Sequence, residues 1–203
     1  VHPFAGQPPE SRDTVDQFST RCPDAQTDAQ IADAIQQAKA AGDSLGGTIR
    51  CIVRDLPAGL GEPVFDKLTA RLAQAMMSLP ATRGFEIGLG FSATQMTGSE
   101  HNDALSADSK KAFASNNAGG VLGGISNGMP LQFRVAFKPT STIASPQASI
   151  TTAGESTTVA GKGRHDPCVL PRAVPIIEAM TSLVLVDFHL LQCAHHTAFD
   201  TFQ

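Results

Sequence analysis

The chain has 203 residues, and its 15 Lys and Arg against 19 Asp and Glu give a formal charge of −4. That balance argues against a nucleic-acid binder, whose footprint is basic. The 41% hydrophobic and 17% charged content argues against a disordered tail. A chain of this length buries about 70% of its unfolded surface on folding. Trp and Tyr are absent, so Phe, Leu, Ile, Val and Met fill the core.

Residues 1–25 show no period and end in the turn-like run Arg21-Cys22-Pro23-Asp24. The start, Val1-His2-Pro3-Phe4-Ala5-Gly6, lacks the charged and apolar regions of a signal peptide. Its opening at Val1 rather than Met points to part of a longer chain. The pattern predicts a helix from Asp28 to Ala41, with Thr27 as cap, a stripe of Ile31, Ala34, Ile35 and Ala38, and Gly42 as stop. After the turn Asp43-Ser44-Leu45-Gly46-Gly47, residues Thr48–Arg54 alternate, which predicts a half-buried strand with Ile49, Cys51 and Val53 on one face.

A Gly-rich loop from Pro57 to Glu62 leads to a second helix expected to open at Pro63, with Val64, Leu68, Leu72, Ala75 or Met76, and Leu79 at helical spacing and Pro80 at its end. Gly84–Phe91 reads as a strand weakened by Gly88 and Gly90. Residues 92–117 are polar and aperiodic, and so long a loop implies function, mobility or a hidden element. A glycine-rich run follows, then an alternating strand over Leu131–Lys138 with Phe133, Val135 and Phe137 on one face. Pro139–Gly163 is rich in Thr, Ser and Gly, with room for a hairpin. A long apolar helix from about Arg172 to His195 closes the pattern; Pro175, Glu178, Asp187 and His189 interrupt Val174–Leu191, which reads as a buried helix rather than a membrane span. No repeat and no linker divides the chain, so residues 1–203 read as a single region. Cys22, Cys51, Cys168 and Cys193 are dispersed without a CxxC pair, which suggests neither a metal site nor a disulfide framework, and reduced thiols are the default.

Three segments carry candidate chemistry. Lys138-Pro139-Thr140-Ser141-Thr142 stands at a strand exit, and its ammonium and hydroxyls suit a phosphate or another anion. A polar turn after an edge strand explains the same residues. The run Gly119–Gly128 can offer backbone N–H groups to a ligand but lacks the P-loop arrangement, and a tight packed turn is the plain alternative. In Lys162-Gly163-Arg164-His165-Asp166-Pro167, Arg164 can fork onto a phosphate or carboxylate and Asp166 can relay a proton. A salt-bridged surface turn is the alternative there. His189, His195 and His196 read as a solvated helix end, and no GxSxG elbow is present.

Together these segments form a specific pattern. Arg164-His165-Asp166-Pro167-Cys168, followed by Ala173-Val174-Pro175-Ile176-Ile177-Glu178-Ala179-Met180, closely resembles the C-terminal signature of chorismate synthases. Gly42–Gly47, Gly59–Leu68, Ala75–Ala81, Gly84–Gly88, Gly119–Ser126 and Lys138–Thr142 match the same family in order, so the resemblance runs from Arg21 to about Cys193. Leu89 departs from it, because a polar residue is expected in Gly-x-Gly-Phe. Members of the family also carry a preceding half that holds the essential histidines and most substrate-gripping arginines, so the chain resembles the C-terminal part.

The resemblance implies an α+β fold, a sandwich with helices between antiparallel sheets, and a cytoplasmic homotetramer. It implies a lyase of the shikimate pathway to aromatic amino acids, an FMN flavoprotein also associated with NADP. The reaction is the 1,4-anti elimination of phosphate from 5-enolpyruvylshikimate 3-phosphate to give chorismate, with reduced FMN required and no net redox change. Carried over by position, FMN contacts fall on Pro80, Ala81, Gly123, Lys138, Pro139, Thr140, Ser141, Thr142 and Arg164. Asp166 falls on the acid that handles the proton at flavin N5, with Arg164 beside it as catalytic charge. No metal, nucleic acid or membrane is implied. The competing expectation is a catalytically silent structural or oligomerising fragment with little affinity for FMN.

Overall fold

In the computed structural model, residues 14–107, 112–163 and 165–200 are described, with side chains as far as His195. In chain order the elements are α1 (Ala25–Ala40), β1 (Gly47–Val53), α2 (Leu68–Met77), β2 (Thr82–Ile87), a 3-10 turn (Gly90–Gln95), α3 (Gly98–His101), β3 (Val121–Leu122), β4 (Ile125–Ser126), β5 (Leu131–Phe137), β6 (Gln147–Ile150), β7 (Ser156–Val159) and α4 (Leu170–Asp200). They group into two compact units, each made from two distant stretches. The first takes the chain up to Gly47 and Phe137–Val174; the second takes Thr48–Ala136 and the chain from Pro175 onward.

In the first unit, α1 begins three residues before the expected start. Asp24, with extended backbone, is its N-cap, and the carboxylate accepts from the Thr27 N–H at 2.7 Å. Thr27 is therefore the capped residue and not the cap, because a carboxylate three residues upstream already satisfies its amide. The helix stops where expected: Gly42 adopts φ +67°, which an L side chain resists. The Thr/Ser-rich stretch folds into the antiparallel hairpin β6–β7, with Gln147 opposite Val159 and Ile150 opposite Ser156. Its residues are almost all exposed.

The second unit holds the three-stranded sheet β1-β5-β2. The alternation along β5 is borne out, with Leu131, Phe133 and Val135 at 1% exposure or less. In α2, Leu68, Leu72 and Met76 are fully buried at i, i+4 and i+8, the stripe that drives an amphipathic helix against a sheet. The helix starts at Leu68, not at Pro63, and Val64 and Phe65 are exposed. The Glu62 N–H closes on the Asp66 carbonyl, and the Leu68 N–H goes to Gly124, so the intervening residues form a loop.

β2 ends at Ile87 instead of running to Phe91. Gly88 and Gly90 take φ +57° and +54°, and the Gly88 backbone lies against Gly119 with no room for a Cβ. The polar stretch from 92 contains hidden elements. Thr97 and Glu100 form a reciprocal capping box that starts α3. Asp103 then pins the following loop: its carboxylate accepts from the Ser115 hydroxyl at 2.6 Å and from the Asn117 and Ala118 amides at 2.7 and 2.9 Å. Burial works to raise the Asp103 pKa, but these hydrogen bonds outweigh it and hold the carboxyl below its ordinary value. The glycine run folds into the hairpin β3–β4, with Gly123 and Gly124 at the turn.

The terminal helix α4 extends beyond the expected bounds at both ends. It is not the buried helix that its composition suggests. Ala173, Ile177, Thr181 and Phe188 are buried, whereas Ile176, Leu183, Val186, Leu190 and Leu191 are exposed. Leu170–His195 is long and apolar enough to cross a membrane: an 18-residue window within it has a mean hydropathy of 1.7, and only 17% of that window is buried. Cys51 packs beside Thr181 at 3.8 Å, and burial pushes its thiol up to about 11, so it behaves as a core residue.

Candidate functional site

The first unit contains a cavity of about 470 Å³ lined by Thr140, Thr142, His165, Asp166, Val169 and Arg172. Two sequence segments form its walls. β5 stops before Pro139, which has no N–H to continue a ladder, and Thr140 and Thr142 follow. Opposite them, the chain approaches α4 with Asp166, Val169 and Arg172 three residues apart. Asp166 Oδ2 accepts from Arg172 Nη1 at 2.8 Å. The Thr140 hydroxyl donates to the Asp166 carbonyl at 3.2 Å, which ties the walls together. The His165 Nε2 donates to the Lys162 carbonyl at 3.0 Å. Hydroxyls, a guanidinium, an imidazole and a carboxylate thus share one small space. This donor set is suited to an anion.

The Gly42–Gly47 turn underlies both walls. The buried Ser44 hydroxyl donates to the Thr140 carbonyl at 2.7 Å. The Leu45 N–H donates to the Pro167 carbonyl at 2.7 Å, and Leu45 forms a parallel bridge with Cys168. Other residues of the same segment face elsewhere: Pro167, Cys168 and Pro171 line a second cavity of about 210 Å³ with Thr20, Ile35 and Gln36. Burial raises the Cys168 pKa there.

The expected site residues divide accordingly. Thr140, Thr142 and Asp166 meet at the larger cavity. Lys138, Pro139 and Ser141 are in the same strand exit but not among its lining residues; the Lys138 amine donates to the Pro139 carbonyl at 3.3 Å. Arg164 lies outside the described residues. Pro80, Ala81 and Gly123 belong to the second unit. Ala81 has φ +69°, a left-handed conformation that is uncommon for a residue with a Cβ. Gly123 has φ +61°, and a Cβ placed there would meet nothing within 4 Å, so its backbone is approachable. Sequence reasoning missed Arg172 and Ser44. The signal for Arg172 was a cation in the first turn of a helix, six residues after the candidate acid.

These elements make an α+β protein with small sheets. The chorismate synthase family profile matches residues 6–190. A chorismate synthase of Synechococcus sp. (strain WH7803) is 59% identical over 184 residues, 90% of this chain and 51% of that protein. One from Opitutus terrae is 56% identical over 185 residues, 91% of this chain and 51% of its own length. A crystal structure of chorismate synthase superposes with a TM-score of 0.71 at 33% identity, covering 89% of this chain and 47% of the other. The chain belongs to the chorismate synthase family. It spans about half the length of the curated relatives it matches.

Proposed function

We propose that this chain is the part of a chorismate synthase that supplies a phosphate-binding and proton-handling cavity. The enzyme would eliminate phosphate from 5-enolpyruvylshikimate 3-phosphate to give chorismate, with reduced FMN as cofactor and a homotetramer as its assembly. The observation that carries this reading is the joining of Thr140, Thr142, Asp166 and Arg172 around one cavity.

The residues of this cavity fit the flavin's phosphate. Hydroxyls and a guanidinium suit the phosphate of FMN. When bound, reduced FMN supplies electron density and a basic N5. The chain's own residues do the rest. The hydroxyls of Thr140 and Thr142 would hold the phosphate, with Lys138 and Ser141 beside them in the same strand exit. Arg164 adds fixed positive charge where negative charge develops. Arg172 occupies Asp166 Oδ2, so Asp166 would hold or pass on a proton at Oδ1.

Titrating FMN into the chain and following flavin fluorescence tests the reading. Saturable quenching is expected, weakened when Thr140 and Thr142 are both changed to Val. Quenching that these substitutions leave unchanged would place the cofactor elsewhere.

A second reading has its own observation, the apolar face of α4 formed by Leu183, Val186 and Leu190. It makes the chain a silent structural or oligomerising piece. Absence of FMN binding together with concentration-dependent sedimentation would favour it.

A further inference from the structure

We infer that Ser44 is a positioning residue for the cavity, acting through the Thr140 carbonyl without touching a ligand. The inference rests on the reading of this cavity as an anion site. The Ser44 side chain is part of a residue only 8% exposed, and its hydroxyl donates to the Thr140 carbonyl at 2.7 Å. From the next residue, the Leu45 N–H reaches the Pro167 carbonyl at 2.7 Å. The Thr140 hydroxyl closes the loop on the Asp166 carbonyl at 3.2 Å. The path Ser44–Thr140–Asp166–Pro167–Leu45 is therefore a closed ring of hydrogen bonds and peptide bonds, and it joins both walls to one turn.

The surroundings leave this turn little freedom. A Cβ on Gly46 would run into the Phe137 carbonyl and the Pro139 ring, so the turn lies directly against the strand exit. On the other side, Ser145 donates its N–H to the Gly42 carbonyl at 3.0 Å and its hydroxyl to the Ala41 carbonyl at 2.8 Å. A linked ring of this kind is more than its separate bonds, because each bond fixes the geometry of the next. Loss of the Ser44 hydroxyl removes a buried donor and releases Thr140, with the hydroxyl wall, from the turn. The lining side chains keep their chemistry but lose their common frame, on which site precision depends.

The experiment uses the whole chain and two readouts, amide hydrogen exchange at Leu45 and inorganic phosphate titrated against the backbone resonances of Thr140–Thr142. With Ser44→Ala, exchange at Leu45 is expected to rise about tenfold and phosphate affinity to fall about fivefold, the scale of one buried hydrogen bond. Thr181→Ala is the control. It removes another buried hydroxyl, 3% exposed and bonded to the Ile177 carbonyl, and should move neither readout. Thr140→Val opens the ring from its other side with Ser44 intact, and should also speed Leu45 exchange. Unchanged exchange in both ring variants overturns the inference. So does faster exchange with unchanged phosphate affinity, which leaves the anion site standing. A wild-type chain with no saturable phosphate response overturns the anion site itself.

Discussion

The two units are held by different forces. Among the described residues, the most completely buried side chains, Leu68, Leu72, Met76, Leu131, Phe133, Val135, Ile177 and Thr82, all belong to the second. The first has few buried apolar side chains, chiefly Ala38, Phe137 and Ala173, and relies on carbonyl-directed hydrogen bonds from Ser44, Leu45, Thr140 and Ser145. Burial is non-directional and tolerates repacking, whereas a polar ring fixes distances. The apolar unit therefore mainly secures stability, and the polar unit secures the geometry of the cavity.

Substitutions can break this division. The largest effect is expected for Asp166→Asn in a chain with the full length of its relatives: turnover falls by a factor on the order of 10² or more with FMN affinity largely kept. Steady-state kinetics and flavin fluorescence read the two quantities, and unchanged values in both would remove Asp166 from the chemistry. Next, Phe133→Ala should cost about 4 kcal/mol in urea unfolding through the void it leaves. Ser44→Ala should cost only about 1–2 kcal/mol. Equal losses would erase the contrast between the units.

Asp103 gives a third, pH-dependent effect. Its carboxyl is held below the ordinary value, so its contribution is present above the unfolded carboxylate range and is lost as pH falls through the folded pKa. Asp103→Asn removes that part of the acid dependence and should also speed exchange at the Ala118 amide, readable in hydrogen-exchange profiles between neutral and acid pH. The smallest effect is expected for Val159→Lys on the exposed hairpin: within about 0.5 kcal/mol by thermal melt. A larger loss would show that this hairpin carries packing.

The legible parts of the fold were those fixed by local pattern. The alternation of β5 and the spacing of Leu68, Leu72 and Met76 show which side chains turn inward. The break of β2 was less legible, because Gly88 must leave the strand to meet Gly119 thirty-one residues later. The capping box of Thr97 and Glu100 was visible as a T-x-x-E spacing but lay in a stretch without apolar period. Exposure along α4 depends on what covers it, which no helical period reports. At the site, residue types suggested Thr140 and Asp166 separately. Their meeting depends on a bond between residues twenty-six apart and on a turn almost a hundred residues upstream of Thr140. The family resemblance brought them together on paper, yet it gave no role to Ser44 or Arg172.

The discontinuous make-up of both units bears on how the chain is synthesised. Each needs its second stretch before it can close, and α4 contributes to both, with Leu170–Val174 in the first and the residues from Pro175 in the second. On a ribosome adding about 5–20 residues per second, neither unit has all of its parts until that helix has been made. Completion of both units then waits on one helix. A chain without α4 would keep Leu68, Leu72 and Phe133 together in one stretch, but it would lack Ile177 and Phe188 from the buried set of the second unit and Ala173 from that of the first.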